Sequence, residues 1–317
     1  MDLLIAFVLL VVGFVLLIKG ADFFVEGSSS VAKQLRVPSL IIGMTIVAMG
    51  TSLPECSVSV TASLTGQNSL AVSNAIGSNI FNLMMVCGVC ALFAPLVVSR
   101  ETLKRDFPFS VICALALLAL GFTGSSVGRV DGIILLIVFA LFLVTMIKSA
   151  MKARAAGASV EVEGEDAKII PAWKSILFII GGACAIAFGG DMVVDSASTI
   201  ATTFGMSETL VGLTICAIGT SLPELVTSVV AAHKNQLDMA VGNVVGSNIF
   251  NILFVLGVGA TISPIAFITE NMIDIIILIV MSLLVWVFTW TKERINRAEG
   301  IVMICIYAAY SVYICMR

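Results

Sequence analysis

Two glutamates, Glu55 and Glu224, lie inside long apolar stretches of a 317-residue chain. An ionised carboxylate at the centre of a bilayer costs about 2.5–3.5 kcal/mol on insertion scales, so it needs a partner or an aqueous cavity. Neither stretch contains Arg or Lys, and the single histidine, His233, falls in an expected loop. Paired glutamates without a basic partner call for a cation. Their surroundings, GTSLPE in both cases, fit that need. Pro54 lacks an N–H and so frees the carbonyl of Gly50, as Pro223 frees that of Gly219. Each break then offers bare carbonyls and the hydroxyls of Thr51 and Ser52, or of Thr220 and Ser221. A second motif, GSNIFN, sets Ser78 and Asn82 at i,i+4 on one helix face, and Ser247 and Asn251 repeat the spacing. Carboxylate, carbonyl, amide and hydroxyl oxygens are the ligands of a hard cation such as Ca²⁺, and a surplus of neutral oxygens also suits Na⁺. Soft ligands for Zn²⁺ or Cu⁺ are missing from these motifs.

The motifs occur twice at one constant offset. GMTIVAMGTSLPE (43–55) returns as GLTICAIGTSLPE (212–224), and AVSNAIGSNIFN (71–82) as AVGNVVGSNIFN (240–251), each 169 positions on. Between 43–89 and 212–258, 26 of 47 positions are identical without a gap, which chance does not produce. A Pro-Glu kink or a GSN packing contact could each be structural when alone. Both motifs, duplicated in register, point to one shared site.

The elements that hold these residues must span a membrane. Hydrophobic residues make up 59% of the chain and charged ones 12%, about half the charge of a soluble domain. That excludes a cytosolic enzyme, a nucleic-acid binder and a secreted disulfide scaffold. Apolar segments fall at about 3–32, 38–63, 70–95, 108–123, 130–148, 173–203, 208–232, 239–264, 272–291 and 299–316. Ten spans are expected, the fourth and last being short for a crossing of about 20 residues. The start, MDLLIAFVLLVVGF, lacks a basic region and a cleavage pattern and reads as a retained span. With the N-terminus outside, fourteen basic residues fall in inside loops and two, Arg129 and Arg317, outside, so both termini are expected outside. Five spans precede each return of the pattern. Because five is odd, the second copy enters from the opposite face, giving two inverted five-helix repeats, 1–148 and 173–317. The polar connection 149–172, with its acidic run from Glu161 to Asp166, reads as a solvated inside linker. Cys87 and Cys90 have redox spacing but read as packed helix residues, and Trp173, Trp286 and Trp290 as an interfacial belt.

At GTSLPE and GSNIFN the sequence resembles the Ca²⁺/cation antiporter superfamily, whose two alpha-repeats these motifs look like. The branch it resembles is the bacterial YrbG-like sodium/calcium exchangers, over essentially the whole chain. The resemblance implies an all-α polytopic membrane protein that exchanges Na⁺ for Ca²⁺ by alternating access. Glu55 and Glu224 would be shared by both ions. Thr51, Ser52, Thr220, Ser221, Ser78 and Ser247, with the carbonyls of Ala48 and Ala217, would complete the sites, and Asn82 and Asn251 would line the middle. K⁺-dependent relatives, and some microbial ones, carry Asp where this chain has Asn251, which argues against K⁺ coupling and leaves two fixed carboxylates. Two glutamates carry a charge of about −2, which one Ca²⁺ or competing Na⁺ ions can neutralise. Three Na⁺ per Ca²⁺, as the resemblance implies, would move net charge; two would not.

The first and sixth spans carry Asp22/Glu26 and Asp191/Asp195, i,i+4 pairs again 169 apart. They are expected to line ion entrances on the inside and outside faces, unless they anchor the helices or Lys19 neutralises Asp22. The competing reading is an H⁺/Ca²⁺ antiporter, or one for another divalent ion such as Mn²⁺; Mg²⁺ dehydrates too reluctantly. An intramembrane enzyme would need a base beside its nucleophile, and no histidine lies in the spans. No cofactor beyond the transported ions and no nucleic-acid partner are expected. One chain should suffice for function in a prokaryotic plasma (inner) membrane.

Overall fold

The computed structural model describes residues 3–66, 68–124, 126–155, 169–206 and 217–316. The acidic run of the linker and residues 212–216 of the second repeat motif lie outside these residues. Nearly everything described is helical. In chain order the helices are α1 (Leu3–Leu35), α2 (Ser39–Thr51), α3 (Leu53–Leu64), α4 (Leu70–Phe93), α5 (Thr102–Phe122), α6 (Arg129–Ala155), α7 (Ala172–Thr203), a short α8 (Ala217–Gly219), α9 (Leu222–His233), α10 (Leu237–Ile262), α11 (Thr269–Lys292) and α12 (Arg297–Met316). Among the described residues, eight helices are long and apolar enough to cross a membrane. The α2/α3 pair, bent by 49°, makes a ninth. Of the expected seventh span, 208–232, only α8 and α9 are described.

Three boundaries differ from the sequence reading for local reasons. The expected span 38–63 is two helices that meet at Ser52 (φ −85°, ψ 14°), with Pro54 in the first turn of the second, where its missing N–H costs nothing. The fourth span is longer than 108–123: helix begins at Thr102 with a π turn, and its polar start carries the Arg105–Asp106 pair at 2.7 Å. The linker is shorter than 149–172, because α6 continues through strong helix formers to Ala155, with Lys152 and Arg154 in the last turn complementing the helix dipole.

Burial divides the helices into a centre and a periphery. α4 and α10 are the most buried of the eight spans. They are also the ones carrying Ser and Asn, as expected when polar groups in a membrane must face the bundle interior. α1 and α7 lie outside and present exposed residues such as Phe7, Val11, Leu177, Ile180 and Phe188 to the surroundings. They pack antiparallel along a seam of small residues at seven-residue spacing, where Gly13 meets Gly189, Gly20 meets Gly182 and Gly27 meets Ser175. A Cβ at Gly20 would stand 3.0 Å from the carbonyl oxygen of Gly182, and one at Gly182 would stand 2.7 Å from that of Gly20. Small residues thus permit backbone contact, the usual basis of helix association in lipid. Two antiparallel strand pairs, Leu96–Val97 with Arg294–Ile295 and Ser126–Val127 with Ile265–Ala266, each join a segment before residue 149 to one after residue 172. Trp286 is half-buried and donates to the carbonyl of Leu103 at 2.9 Å, which ties α11 to α5. Cys87 and Cys90 are buried free thiols.

Gly20→Leu and Gly182→Leu should each overpack the α1/α7 seam by about 1–3 kcal/mol. Thermal unfolding in detergent should show a lowered Tm for both. Gly181→Leu, on an exposed position with no atom within 4 Å of its Cβ, should leave it unchanged.

Candidate functional site

The two breaks are built alike and face each other. At the first, Ser52 closes the last turn of α2 by donating its N–H to the carbonyl of Ala48 (3.1 Å); at the second, Ser221 leaves helical geometry with φ −93° and ψ 4°. Side chains close on both break glycines: a Cβ at Gly50 would lie 2.7 Å from Cζ of Phe24, and one at Gly219 would collide with Cγ2 of Val194, so a larger residue at either must displace its neighbour. Just past each break a glutamate is completely buried. Each is held by the opposite break. The Ser52 hydroxyl donates to Oε1 of Glu224 at 2.6 Å, and the Ser221 hydroxyl to Oε1 of Glu55 at 3.0 Å. Among the described residues neither carboxylate forms an ion pair.

The crossing pattern extends through α4 and α10. Asn74 donates to the carbonyl of Glu55 (3.2 Å) and to Ser59 (3.0 Å), and its own oxygen accepts from Thr220 (3.5 Å). Asn243 donates to the carbonyl of Glu224 (3.4 Å) and to Ser228 (2.9 Å) and accepts from Thr51 (3.1 Å). Every one of these bonds maps onto its counterpart when 169 is added or subtracted. π turns at Asn82–Val86 and Asn251–Val255 begin at the two asparagines the sequence singled out, and such turns re-aim side chains at functional sites. Asn82 donates to Oδ1 of Asn248 (3.2 Å) and Asn251 to Oδ1 of Asn79 (3.1 Å).

Most of the expected site residues therefore come together. Thr51 and Thr220 are engaged with asparagines. Ser247 lies 3.0 Å from the Ser52 hydroxyl and 3.5 Å from the carbonyl of Ala48, while the Ala217 backbone opens α8. Among the described residues, the two motifs leave five completely or almost completely buried oxygens without a hydrogen-bond partner, Oε2 of Glu55, Oε2 of Glu224, Oγ of Ser78, and Oδ1 of both Asn82 and Asn251; the hydroxyls of Ser28, Ser29, Ser196 and Thr227 outside the motifs share that state. Buried polar atoms are normally paired, and unpaired ones ask for an explanation such as an ion. Among the described residues no three His, Cys, Asp or Glu side chains cluster, so the neutral oxygens carry the rest of the ligation this site can offer.

A cavity of about 920 Å³ reaches the site between α3, α4, α7 and the second break, past Ser78, Asn74 and Thr220. Asp191 and Asp195 line it, together with Asp274, an almost buried acid on α11 that the sequence reading missed. No Lys, Arg or His appears among its described lining residues. The other expected entrance pair differs. Lys234, not Lys19, neutralises Asp22, with Nζ 2.6 Å from Oδ1 and 2.9 Å from the backbone carbonyl; Glu26 is half-buried on α1. Lys234 has no basic counterpart in the first half, since 169 positions earlier stands Thr65. The asparagines Asn74, Asn79, Asn243 and Asn248 were also missed, although all four sit inside the duplicated motifs.

An all-helical, multi-pass membrane protein with broken helices and unneutralised buried acids has the architecture of a secondary ion transporter. The comparisons agree. The family described as "Sodium/calcium exchanger protein" matches residues 5–148 and 174–316, and the chain belongs to this family of membrane antiporters, transporters and not enzymes. It is 40% identical to the protein CaxA of Alkalimonas amylolytica, over 97% of this chain and 98% of that one. It is 38% identical to "Inner membrane protein YrbG" of Escherichia coli, over 90% of each chain. A solved structure of the sodium-calcium exchanger NCX_Mj, soaked with Na⁺ and Sr²⁺, superposes with a TM-score of 0.83 at 32% identity, covering 97% of this chain and 98% of the other.

Gly50→Ala should displace Phe24 and lower the Tm in detergent. Gly190→Ala, whose added Cβ would meet nothing nearer than 3.8 Å, should leave the Tm unchanged. Equal Tm values for the two variants would contradict the packing at the first break.

Proposed function

We propose that the chain is a Na⁺-driven Ca²⁺ antiporter, independent of K⁺, working by alternating access in a prokaryotic plasma membrane as a single chain. Its fold would be ten spans in two inverted five-helix repeats, 1–148 and 173–317, with both termini outside and the connection between α6 and α7 as an inside linker. One observation carries the reading: five buried oxygens from both halves, Oε2 of Glu55 and of Glu224, Oγ of Ser78 and Oδ1 of Asn82 and Asn251, lack a hydrogen-bond partner among the described residues, and neither glutamate forms an ion pair there. Two carboxylate oxygens with amide and hydroxyl oxygens make a hard-cation site of charge about −2, which Ca²⁺ or Na⁺ can neutralise. Sharing the glutamates makes the two loads mutually exclusive, and exclusivity separates an exchanger from a channel. Glu55 and Glu224 carry the charge, while Ser52, Ser221, Ser78, Ser247, Asn82 and Asn251 supply neutral oxygens. Thr51 and Thr220 hold the breaks through Asn243 and Asn74. The cavity acids Asp191 and Asp195 concentrate cations at one mouth, whereas Asp22 is already paired with Lys234. The likeness to the sodium-calcium exchanger NCX_Mj supports the choice of ions.

Liposomes loaded with Na⁺ and diluted into ⁴⁵Ca²⁺ without external Na⁺ test this directly. Uptake should require internal Na⁺, ignore replacement by K⁺ or by a pH gradient, and vanish in Glu55→Gln and Glu224→Gln. Asp191→Asn/Asp195→Asn should raise the apparent KM for Ca²⁺ severalfold at low ionic strength, and less when choline chloride screens the mouth. Uptake driven by a pH gradient alone would move the protein to H⁺/Ca²⁺ exchange, and Mn²⁺ flux without Ca²⁺ flux would change the substrate.

A further inference from the structure

Four asparagines meet where α4 and α10 cross, and their hydrogen bonds have only one consistent direction. Asn79 donates its side-chain N–H to the backbone carbonyl of Asn248 at 3.1 Å, and Asn248 donates to the backbone carbonyl of Asn79 at 3.2 Å. A backbone carbonyl can only accept, so both amides are fixed with nitrogen toward the partner helix and Oδ1 turned away. Those oxygens can only accept in turn. Oδ1 of Asn248 takes the N–H of Asn82 at 3.2 Å, and Oδ1 of Asn79 takes the N–H of Asn251 at 3.1 Å. With their nitrogens committed, Asn82 and Asn251 are left with Oδ1 buried and bare. An amide has an attractive and a repulsive end for a cation, and a free amide can rotate either toward it.

We propose that Asn79 and Asn248 are positioning residues for cation binding: two backbone carbonyls fix their amides, which in turn point the carbonyl oxygens of Asn251 and Asn82 at the ion. The proposal rests on the reading of the buried oxygens as a cation site and assigns a role to two residues that need not touch the ion. The relay is crossed. Asn79 of the first half orients Asn251 of the second, and Asn248 orients Asn82. All four residues are buried, with relative exposures of 0% for Asn79, Asn82 and Asn251 and 1% for Asn248, so bulk water does not compete for these bonds. The same arrangement explains why the site can use amides where a carboxylate would need no orientation: a carboxylate has no wrong end.

The test is equilibrium ⁴⁵Ca²⁺ binding to purified protein in Na⁺-free buffer, with Tm measured in parallel. Asn79→Ala should weaken Ca²⁺ binding about tenfold, because Asn251 loses the acceptor that fixes its amide. Asn79→Ala/Asn251→Ala should bind no more weakly than the worse single variant. Asn79→Ala/Asn82→Ala should show the product of the two single losses. Asn248→Ala should mirror this, coupling to Asn82 and not to Asn251. A merely structural role would lower Tm without producing the crossed coupling. Should Asn79→Ala fail to fold, Asn79→Ser carries the same cycle, since the room it leaves admits a water that covers the Asn248 carbonyl without fixing an amide. Additive losses in every double variant, or coupling within each half, would overturn the proposal. The wild type and Glu55→Gln keep the two readings apart: no Ca²⁺ binding by the wild type, or full binding by Glu55→Gln, would remove the cation site itself, whereas additive asparagine losses with Glu55→Gln inactive would remove only the relay.

Discussion

The structure depends on two carboxylates buried in a membrane protein with no base among the described residues to neutralise them. In a low-dielectric interior a pair of like charges is repulsive and poorly solvated, and removing water's response makes every nearby dipole count for more. The polar residues of the centre answer that constraint. Serines from the opposite break donate to one oxygen of each glutamate. Asparagines brace the helix turns that carry the glutamates, and the second carboxylate oxygens stay open. An arrangement that satisfied every oxygen internally would be a stable core with no need of an ion. This one stops short by a fixed set of atoms.

The crossed hydrogen bonds give the site a second property. No half can assemble it alone, because Glu55 is held by Ser221, Glu224 by Ser52, and the amides of Asn79, Asn82, Asn248 and Asn251 by the other half. An ion bound at the centre would therefore be sensed by both halves at once, as an ion must be if it is to bias a conformational equilibrium by interacting differently with the two arrangements of one two-state element. The small-residue seam between α1 and α7 and the packing of Phe24 and Val194 against the break glycines connect the periphery to that centre by direct contact. The cavity that reaches the site is lined by the acids Asp191 and Asp195, which under the proposed function would favour cations over anions at that mouth. On the other side Lys234 has already neutralised Asp22.

Much of this was legible in the sequence, and the reasons are specific. Membrane character follows from charge content, and the glutamates stood out because an acid in an apolar span is expensive. The duplication singled out the candidate site residues, since motifs repeated in register at an offset of 169 are poorly explained by local packing twice over. What the sequence hid were choices of partner. Lys19 is three residues from Asp22 and is the local candidate, yet the lysine that binds it is 212 positions away, on the turn after α9. The asparagines Asn79 and Asn248 lay in plain view inside the motifs, but their role depends on two helices crossing with carbonyl facing amide, which periodicity does not encode. Helix ends failed at Thr102 and Ala155 for the opposite reason: hydropathy marks where a helix leaves the lipid, and propensity lets it continue into water.

The central claim is that Ca²⁺ and Na⁺ compete for the same buried carboxylates. Equilibrium ⁴⁵Ca²⁺ binding to the purified protein, titrated with NaCl against choline chloride at constant ionic strength, tests it most directly. The account predicts one Ca²⁺ per chain, displaced completely by Na⁺ with a Hill coefficient above one and untouched by choline. Ca²⁺ that stays bound at saturating Na⁺ would contradict it, because the two ions would then occupy separate sites and nothing in the centre would force their exchange.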